Sequence, residues 1–420
     1  MSTSARPDLP IAPPEVARAL RATYVAFVGS GVAFASWASR IPQVRDRLEL
    51  SASELGLVLL AIAVGSLIAL PLSGPVVARV GSAATVVAMS LLFSVGLWVV
   101  ALGVLAGVWP VVAGLFLVGL GTGAWDVAMN VQGAMVEQRR GRSTMPRLHA
   151  GFSVGTVAGA LTGAGVVALD VPVPVHLAVV ATLVAVVVPL STRGFLVDRG
   201  AVDETDPSHA ALHDADPDHH PRRGAFAAWK EPRTLLVGVV ALAFAFAEGT
   251  GNDWIAVAAI DGYGRSAVVG TLLFAGFLTA MTLGRWFGPD VIDRFGRVPV
   301  VRAVAVLAVV GSLLFVVAPT TWVAVVAVLL WGLGTSLGFP VSMSAASDDP
   351  EHAAGRVSVV ASIGYCAFLA GPPLIGVLGD SVGVLRAITT VSVLLGVAAL
   401  LATALRPEVD PTPGPRTKVR

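Results

Sequence analysis

Asp126 and Asn130 stand four residues apart in the stretch GLGTGAWDVAMNVQGAMVEQRRGR, 119–142. That spacing puts both side chains on one face of a helix. The pair offers proton exchange at a carboxylate and hydrogen bonding at an amide. The stretch is apolar at its start and basic at its end, so the carboxylate falls where a helix would cross lipid. A charge at that depth costs at least ~2.5–3.5 kcal/mol on insertion scales, which makes Asp126 a functional candidate by default. Glu248 raises the same question in AEGTGNDW, 247–254, where Asn252 and Asp253 follow it. His149 adds an imidazole able to hydrogen-bond a solute or relay a proton near neutrality. Each acid also has a structural reading. Asp126 would be neutral and bonded across helices, or paired with an arginine, and Glu248 would hold a permanent hydrogen bond between two halves of the protein.

The elements that position these residues are membrane helices. The 420 residues are 55% hydrophobic and 13% charged, against roughly 25% charged in soluble domains. Mean hydropathy is +0.81. Apolar runs recur from end to end, each long enough to cross ~30 Å of hydrocarbon. They predict twelve helices at 21–39, 53–77, 83–106, 109–136, 145–168, 173–192, 233–258, 266–288, 298–318, 321–344, 354–378 and 382–405. Ser51 and Glu54 fit the S-x-x-E capping box at the start of the second. Counting ~1.5 Å per residue from Pro110 places Asp126 about 24 Å along the fourth, just past the midplane. Glu248 falls near the midplane of the seventh.

Lysine and arginine orient the spans. With both termini on one side, 22 of the 28 basic residues lie in the tails and loops of that side. Five, Arg40, Arg45, Arg47, Arg265 and Arg386, lie opposite, and Arg285 lies within a span. The positive-inside rule assigns both termini to the cytoplasm, and thus predicts a multi-pass protein of the cytoplasmic membrane. The expected organisation is a tail (1–20), a six-helix bundle (21–193), a linker (194–232), a second six-helix bundle (233–405) and a tail (406–420).

Several function classes are set aside on composition. A formal net charge of +1 leaves no basic surface for nucleic acid. The single cysteine, Cys366, has no intramolecular disulfide partner and reads as a packing residue. His209, His213, His219 and His220 in the linker match no zinc spacing, and that Pro- and Asp-rich segment reads as a solvated linker, so no metal is expected. The phosphate-loop pattern GxxxxGK[ST] is absent, which argues against direct ATP driving and leaves no cofactor. No nucleophile–base arrangement marks an enzyme. The polar start, MSTSARPDLP, does not resemble a cleavable signal.

The two halves repeat. GLGTGAWD at 119–126 returns 213 residues later as GLGTSLGF, and the same offset carries HAGF (149–152) onto SIGY (362–365), pairing Gly151 with Gly364 and Phe152 with Tyr365. Duplicated six-helix halves are a transporter architecture, with the site near the midplane between the repeats. The loops GPVVARVGS and GPDVIDRFGRVPVVR resemble the G-x-x-x-D-[RK]-x-G motif of the major facilitator superfamily. The second supplies Asp293, Arg294 and Gly296, with Pro289 in place of the leading glycine. The first keeps Gly74, Arg79 and Gly81 but has Ala78 in place of the acid. Within that superfamily, Gly123, Asp126, Ala128 and Asn130 resemble the G-x-x-[ED]-x-A-x-N pattern of fucose permeases. SWASRIP, GNDW and GRSTMPRLHAGFSVG are similar to a YbjJ-type inner-membrane branch.

The resemblance implies an all-α membrane protein of two pseudo-symmetric six-helix bundles, the major facilitator fold. It implies secondary active transport of a small polar solute, a sugar or related metabolite, by proton symport and alternating access. Asp126 then occupies the protonatable position of span four, with Glu248 as a second coupling acid. Asn130 and His149 are candidate substrate ligands, joined by Asn252, Phe152 and Tyr365. Trp37 and Trp254, at similar places in the two halves, suit stacking on a sugar or an aromatic belt. Arg40 and Asp253 are candidates for an outer gate closed by an ion pair, and Arg79, Asp293 and Arg294 for the inner one. Sugar permeases of this group often carry an acid in the first span, which TYVAFVGSGVAFASWAS lacks. The expected partners are a small-molecule substrate, protons and the lipid bilayer, with the chain a monomer. Proton-coupled efflux and a non-transporting receptor or scaffold are the alternatives.

Overall fold

The computed structural model describes residues 14–141, 144–198, 227–349 and 352–407, and among these it holds helices and no strand. The linker histidines and Arg142 lie outside the described residues. Twelve helices are long and apolar enough to span a membrane: Pro14–Arg47, Ala52–Val80, Ser82–Gly103, Val108–Arg140, Met145–Ala168, Val173–Thr192, Pro232–Tyr263, Ala267–Phe295, Arg297–Val316, Thr321–Ala346, Gly355–Val382 and Val384–Leu405, called spans one to twelve. Span one starts at Pro14, earlier than the expected 21, because PEVARALR continues the helix through Arg18 and Arg21. Below, the end of a unit where its first full span begins, span one or span seven, is its tail end, and the other is its far end.

The described helices form two contact units, residues 1–48 with 61–206 and residues 49–60 with 207–420. In the first, span one packs on spans five, six and four, and span three packs on spans four and six. In the second, span seven packs on spans eleven, twelve and ten, and span nine packs on spans ten and twelve. Adding six to each of these span numbers turns the first set of pairs into the second.

The repeat extends to atomic contacts. A Cβ built on Gly119 would lie 2.1 Å from the carbonyl oxygen of Ile62, and one on Gly332 would lie 2.2 Å from that of Phe277. A Cβ on Gly121 would lie 2.7 Å from the amide nitrogen of Phe93, and one on Gly334 would lie 2.4 Å from that of Ala308. These four glycines of the sequence repeat thus let their helices touch the backbone of the equivalent neighbour. Small residues are what bring membrane helices this close.

The glycine stripe of span five does the same against span one. A Cβ on Gly155 would sit 2.3 Å from the Val28 carbonyl oxygen and one on Gly159 2.6 Å from that of Val32. Gly155→Leu should therefore cost about 2–3 kcal/mol by overpacking, seen as a lower unfolding temperature. Gly165→Ala, where a Cβ meets nothing within 4 Å, is the control and should change little.

The capping box forms as expected. The Ser51 amide donates to the Glu54 carboxylate at 2.9 Å and the Glu54 amide to the Ser51 hydroxyl at 3.2 Å. Asp380 of span eleven adds to this cap, accepting from the amides of Ala52 and Ser53 at 2.8 and 3.1 Å. Span ten is broken, with helices Thr321–Thr335 and Gly338–Ala346. Pro340 has no amide hydrogen to give the Ser336 carbonyl one turn back, so that carbonyl is left for another donor.

Candidate functional site

Asp126 lies near the middle of the 33-residue span four, and its side chain is exposed. Asn130 donates from Nδ2 to the main-chain oxygen of Asp126 at 2.8 Å and to its carboxylate at 3.4 Å. The i, i+4 pairing read from the sequence is therefore present. Among the described residues no cation forms an ion pair with Asp126, so the arginine-paired alternative is not the arrangement seen. Trp125, one position earlier, turns into the unit and meets Phe93 edge-on at 5.9 Å. The face shared by Gly119, Gly123 and Asp126 is held against span two by the absence of side chains at the two glycines. The arrangement is an acid at membrane depth with one weak amide partner, able to take and release a proton.

Glu248 is differently placed. Arg285 of span eight donates from Nη2 to both carboxylate oxygens, at 2.9 and 2.8 Å. The pair is partly open, with side-chain exposures of 29% for Arg285 and 19% for Glu248. Arg285 also donates from Nε, at 3.4 Å, to the Ser336 carbonyl that Pro340 leaves vacant in span ten. The break in span ten, the arginine of span eight and the acid of span seven form one arrangement. Glu248, expected as a second coupling acid, thus stands in an ion pair with a neighbouring cation of its own unit. Arg285 is the residue sequence reading left without a role. The available signal was charge balance, since a cation inside a span needs an acid in a neighbouring one.

The aromatic candidates divide. Trp37 and Trp254 are 2% and 0% exposed. They are neither open stacking platforms nor members of an interfacial belt, because packing covers both faces. Tyr365 is exposed, with its ring 6.2 Å from that of Phe368. Phe152 is half-buried on span five, whose carbonyl there meets span one at Gly31. His149 is exposed and meets Phe27 edge-on at 5.2 Å. Asn252 keeps its Oδ1 buried without a partner among the described residues, and Asp253, beside it, is half-buried.

Arg40 is 3% exposed at the far end of its unit and donates from Nη2 to the Val171 carbonyl at 2.6 Å. Its Nε and Nη1 are buried with no partner among the described residues. At the tail end, Arg79, Asp293 and Arg294 are exposed, and Arg294 lies over the Phe295 ring at 5.2 Å. The ion pairs that tie helix ends there are made by other residues. Asp348 joins Arg233 at 3.1 Å and Arg297 at 2.6 Å, and Glu231 joins Arg356 at 2.7 Å. Burial opposes the charged form of Glu231, but Thr234 and Arg356 outweigh it and hold the carboxyl below its ordinary value. That contact therefore stabilises at neutral pH and is lost as the pH falls. No group of three or more metal-ligating side chains occurs among the described residues.

Comparison with known proteins places these features in context. A family model described as the Major Facilitator Superfamily matches residues 22–368 and 292–420. The uncharacterized transporter y4wD of Sinorhizobium fredii is 32% identical over 390 residues, covering 92% of this chain and 98% of its own. Among solved structures, the nucleoside transporter NupG aligns with a TM-score of 0.70 at 16% identity, over 94% of this chain and 98% of that one. The fucose:proton symporter FucP of E. coli aligns with a TM-score of 0.60 at 16% identity, over 92% and 98%.

Proposed function

The chain belongs to the Major Facilitator Superfamily and is a transporter, and from that premise we propose that it carries a small polar solute, a sugar or related metabolite, together with protons. The observation that supports this reading is Asp126, an exposed carboxylate at the middle of a membrane span with only Asn130 as a side-chain partner among the described residues. In this reading Asp126 carries the proton, and Asn130 and His149 bind solute beside it. Asn252, Phe152 and Tyr365 complete the binding residues. Alternating access exposes the acid first to one compartment and then to the other, so solute and proton move together. Both termini face the cytoplasm and the membrane is the cytoplasmic one, as the basic residues direct.

Gating falls to Arg40 and Asp253 on one side of the membrane and to Arg79, Asp293 and Arg294 on the other. The two unpaired N–H groups of buried Arg40 support the first assignment, because a carboxylate would satisfy them. Exchanging the charges, Arg40→Asp with Asp253→Arg, should restore transport lost in each single variant. A double variant as inactive as the singles would count against the pair.

The test of function uses the purified chain in proteoliposomes loaded with a pH-sensitive dye. A panel of hexoses, uronic acids and polyols is added outside, one at a time. The proposal expects at least one solute to drive acidification of the lumen, with no response in protein-free vesicles. If solutes enter without moving protons, symport is wrong.

A further inference from the structure

Arg285 has more hydrogen-bonding capacity than the protein uses. Its Nη2 serves both oxygens of Glu248, and its Nε reaches the Ser336 carbonyl at 3.4 Å. Its Nη1 carries two hydrogens for which the structure shows no acceptor among the described residues. The side chain is 29% exposed, so this edge is not sealed by packing. A guanidinium is a planar fork with five donors in fixed directions, matched to carboxylates and phosphates. Glu248 holds the fork from one side and the broken helix of span ten from another, which leaves the Nη1 edge without a protein acceptor among the described residues.

Among the described residues no second acid is hydrogen-bonded to that edge; on span eight itself Asp290 and Asp293 stand five and eight residues beyond Arg285 and are exposed, as is Asp261 at the end of span seven. The sequences of spans ten and twelve carry no acid, and the acid of span eleven, Asp380, caps the start of span two. On span seven, Asp253 stands five residues beyond Glu248, more than one turn away. Glu231, at the tail end, is joined to Arg356. A neutral solute would find a poor match in a cation that already has one counter-ion. An anion would find two strong donors.

We propose that the solute carries a carboxylate, bound at the Nη1 edge of Arg285, with Glu248 as the positioning residue that holds the guanidinium in place. The substrate class is thus a small hydroxylated organic acid, of which a uronic acid is the simplest sugar-like example. The inference rests on the symport reading and adds a charge balance to it. Loading places one proton on Asp126 and one anion on Arg285, so the loaded and empty sites carry the same net charge. Transport is then electroneutral: a pH gradient drives it and a membrane potential does not. A neutral sugar moved with one proton would instead carry a charge and respond to both.

Two matched pairs, D-glucuronate with D-glucose and D-galacturonate with D-galactose, isolate the carboxylate as the variable. Thermal shift on the full chain should show a uronate binding about tenfold tighter than its hexose, the range of one charge-assisted hydrogen bond. The double variant Arg285→Gln/Glu248→Gln removes both charges together, so no unpaired ion is left to unfold the protein. In it, the preference should vanish. In proteoliposomes, uptake of the bound uronate should follow an imposed pH gradient with the potential clamped at zero by valinomycin and potassium. A potential imposed alone should add nothing. A hexose binding as well as its uronate, no preference in either pair, or uptake driven by potential overturns the proposal. Proton-driven uptake of a hexose would do so while leaving symport standing; uronate uptake indifferent to the pH gradient would sink symport and leave the carboxylate site.

Discussion

Asp126→Asn should abolish proton-driven accumulation while leaving solute counterflow intact. Asparagine has nearly the shape of aspartate and keeps an acceptor for the Asn130 amide, which reaches the carboxylate at 3.4 Å. It cannot take up a proton at neutral pH. A one-proton symporter can accumulate its solute about tenfold per pH unit of gradient, because one unit corresponds to ~1.4 kcal/mol. In the variant that ratio should fall to about one at any gradient. Counterflow exchanges labelled for unlabelled solute and needs no net proton movement, so it reports whether binding and the conformational cycle survive. Loss of both activities together would mean that the carboxylate holds the helix bundle in shape and has no part in coupling.

Arg285→Leu should be among the most destabilising substitutions in the second unit. It leaves the Glu248 carboxylate without the guanidinium that now serves both of its oxygens at 2.9 and 2.8 Å. It also strips the Ser336 carbonyl, which Pro340 cannot satisfy, of its donor. Breaking a buried pair from one side costs ~3–5 kcal/mol. This pair is partly open, so the lower figure, about 3 kcal/mol, is the expectation. Adding Glu248→Gln should recover most of that loss by removing the stranded charge. Solute uptake should stay lost in the double variant. Recovery of uptake along with stability would show that the pair serves only the fold.

The sequence was most legible where a feature depends on near neighbours along the chain. The Ser51–Glu54 box and the Asp126–Asn130 pair both follow from helical spacing, and both formed. The repeat was legible because close helix contact tolerates only glycine: Gly119 and Gly332 recur at one offset and meet equivalent backbone atoms. Contacts between spans were less visible. Nothing in the periodicity joins Glu248 to Arg285, 37 residues apart on separate helices, and only the cost of an unpaired intramembrane charge points to them. The tryptophans misled for a related reason. Position along a span gives depth, whereas the buried state of Trp37 and Trp254 depends on which helices lie beside them. At the tail end, the loop motif drew attention to Asp293 and Arg294, while Asp348, which carries no motif, binds two arginines.

The measurement that bears most directly on the central claim is proton exchange at Asp126 on solute binding. A solute that stabilises the purified protein in the thermal-shift screen is added to it in unbuffered detergent solution with a pH-sensitive dye. The account predicts uptake of about one proton per wild-type molecule, at a pH where the free acid is ionised, and none by Asp126→Asn, whose binding is otherwise preserved. An equal proton change in both proteins would contradict it.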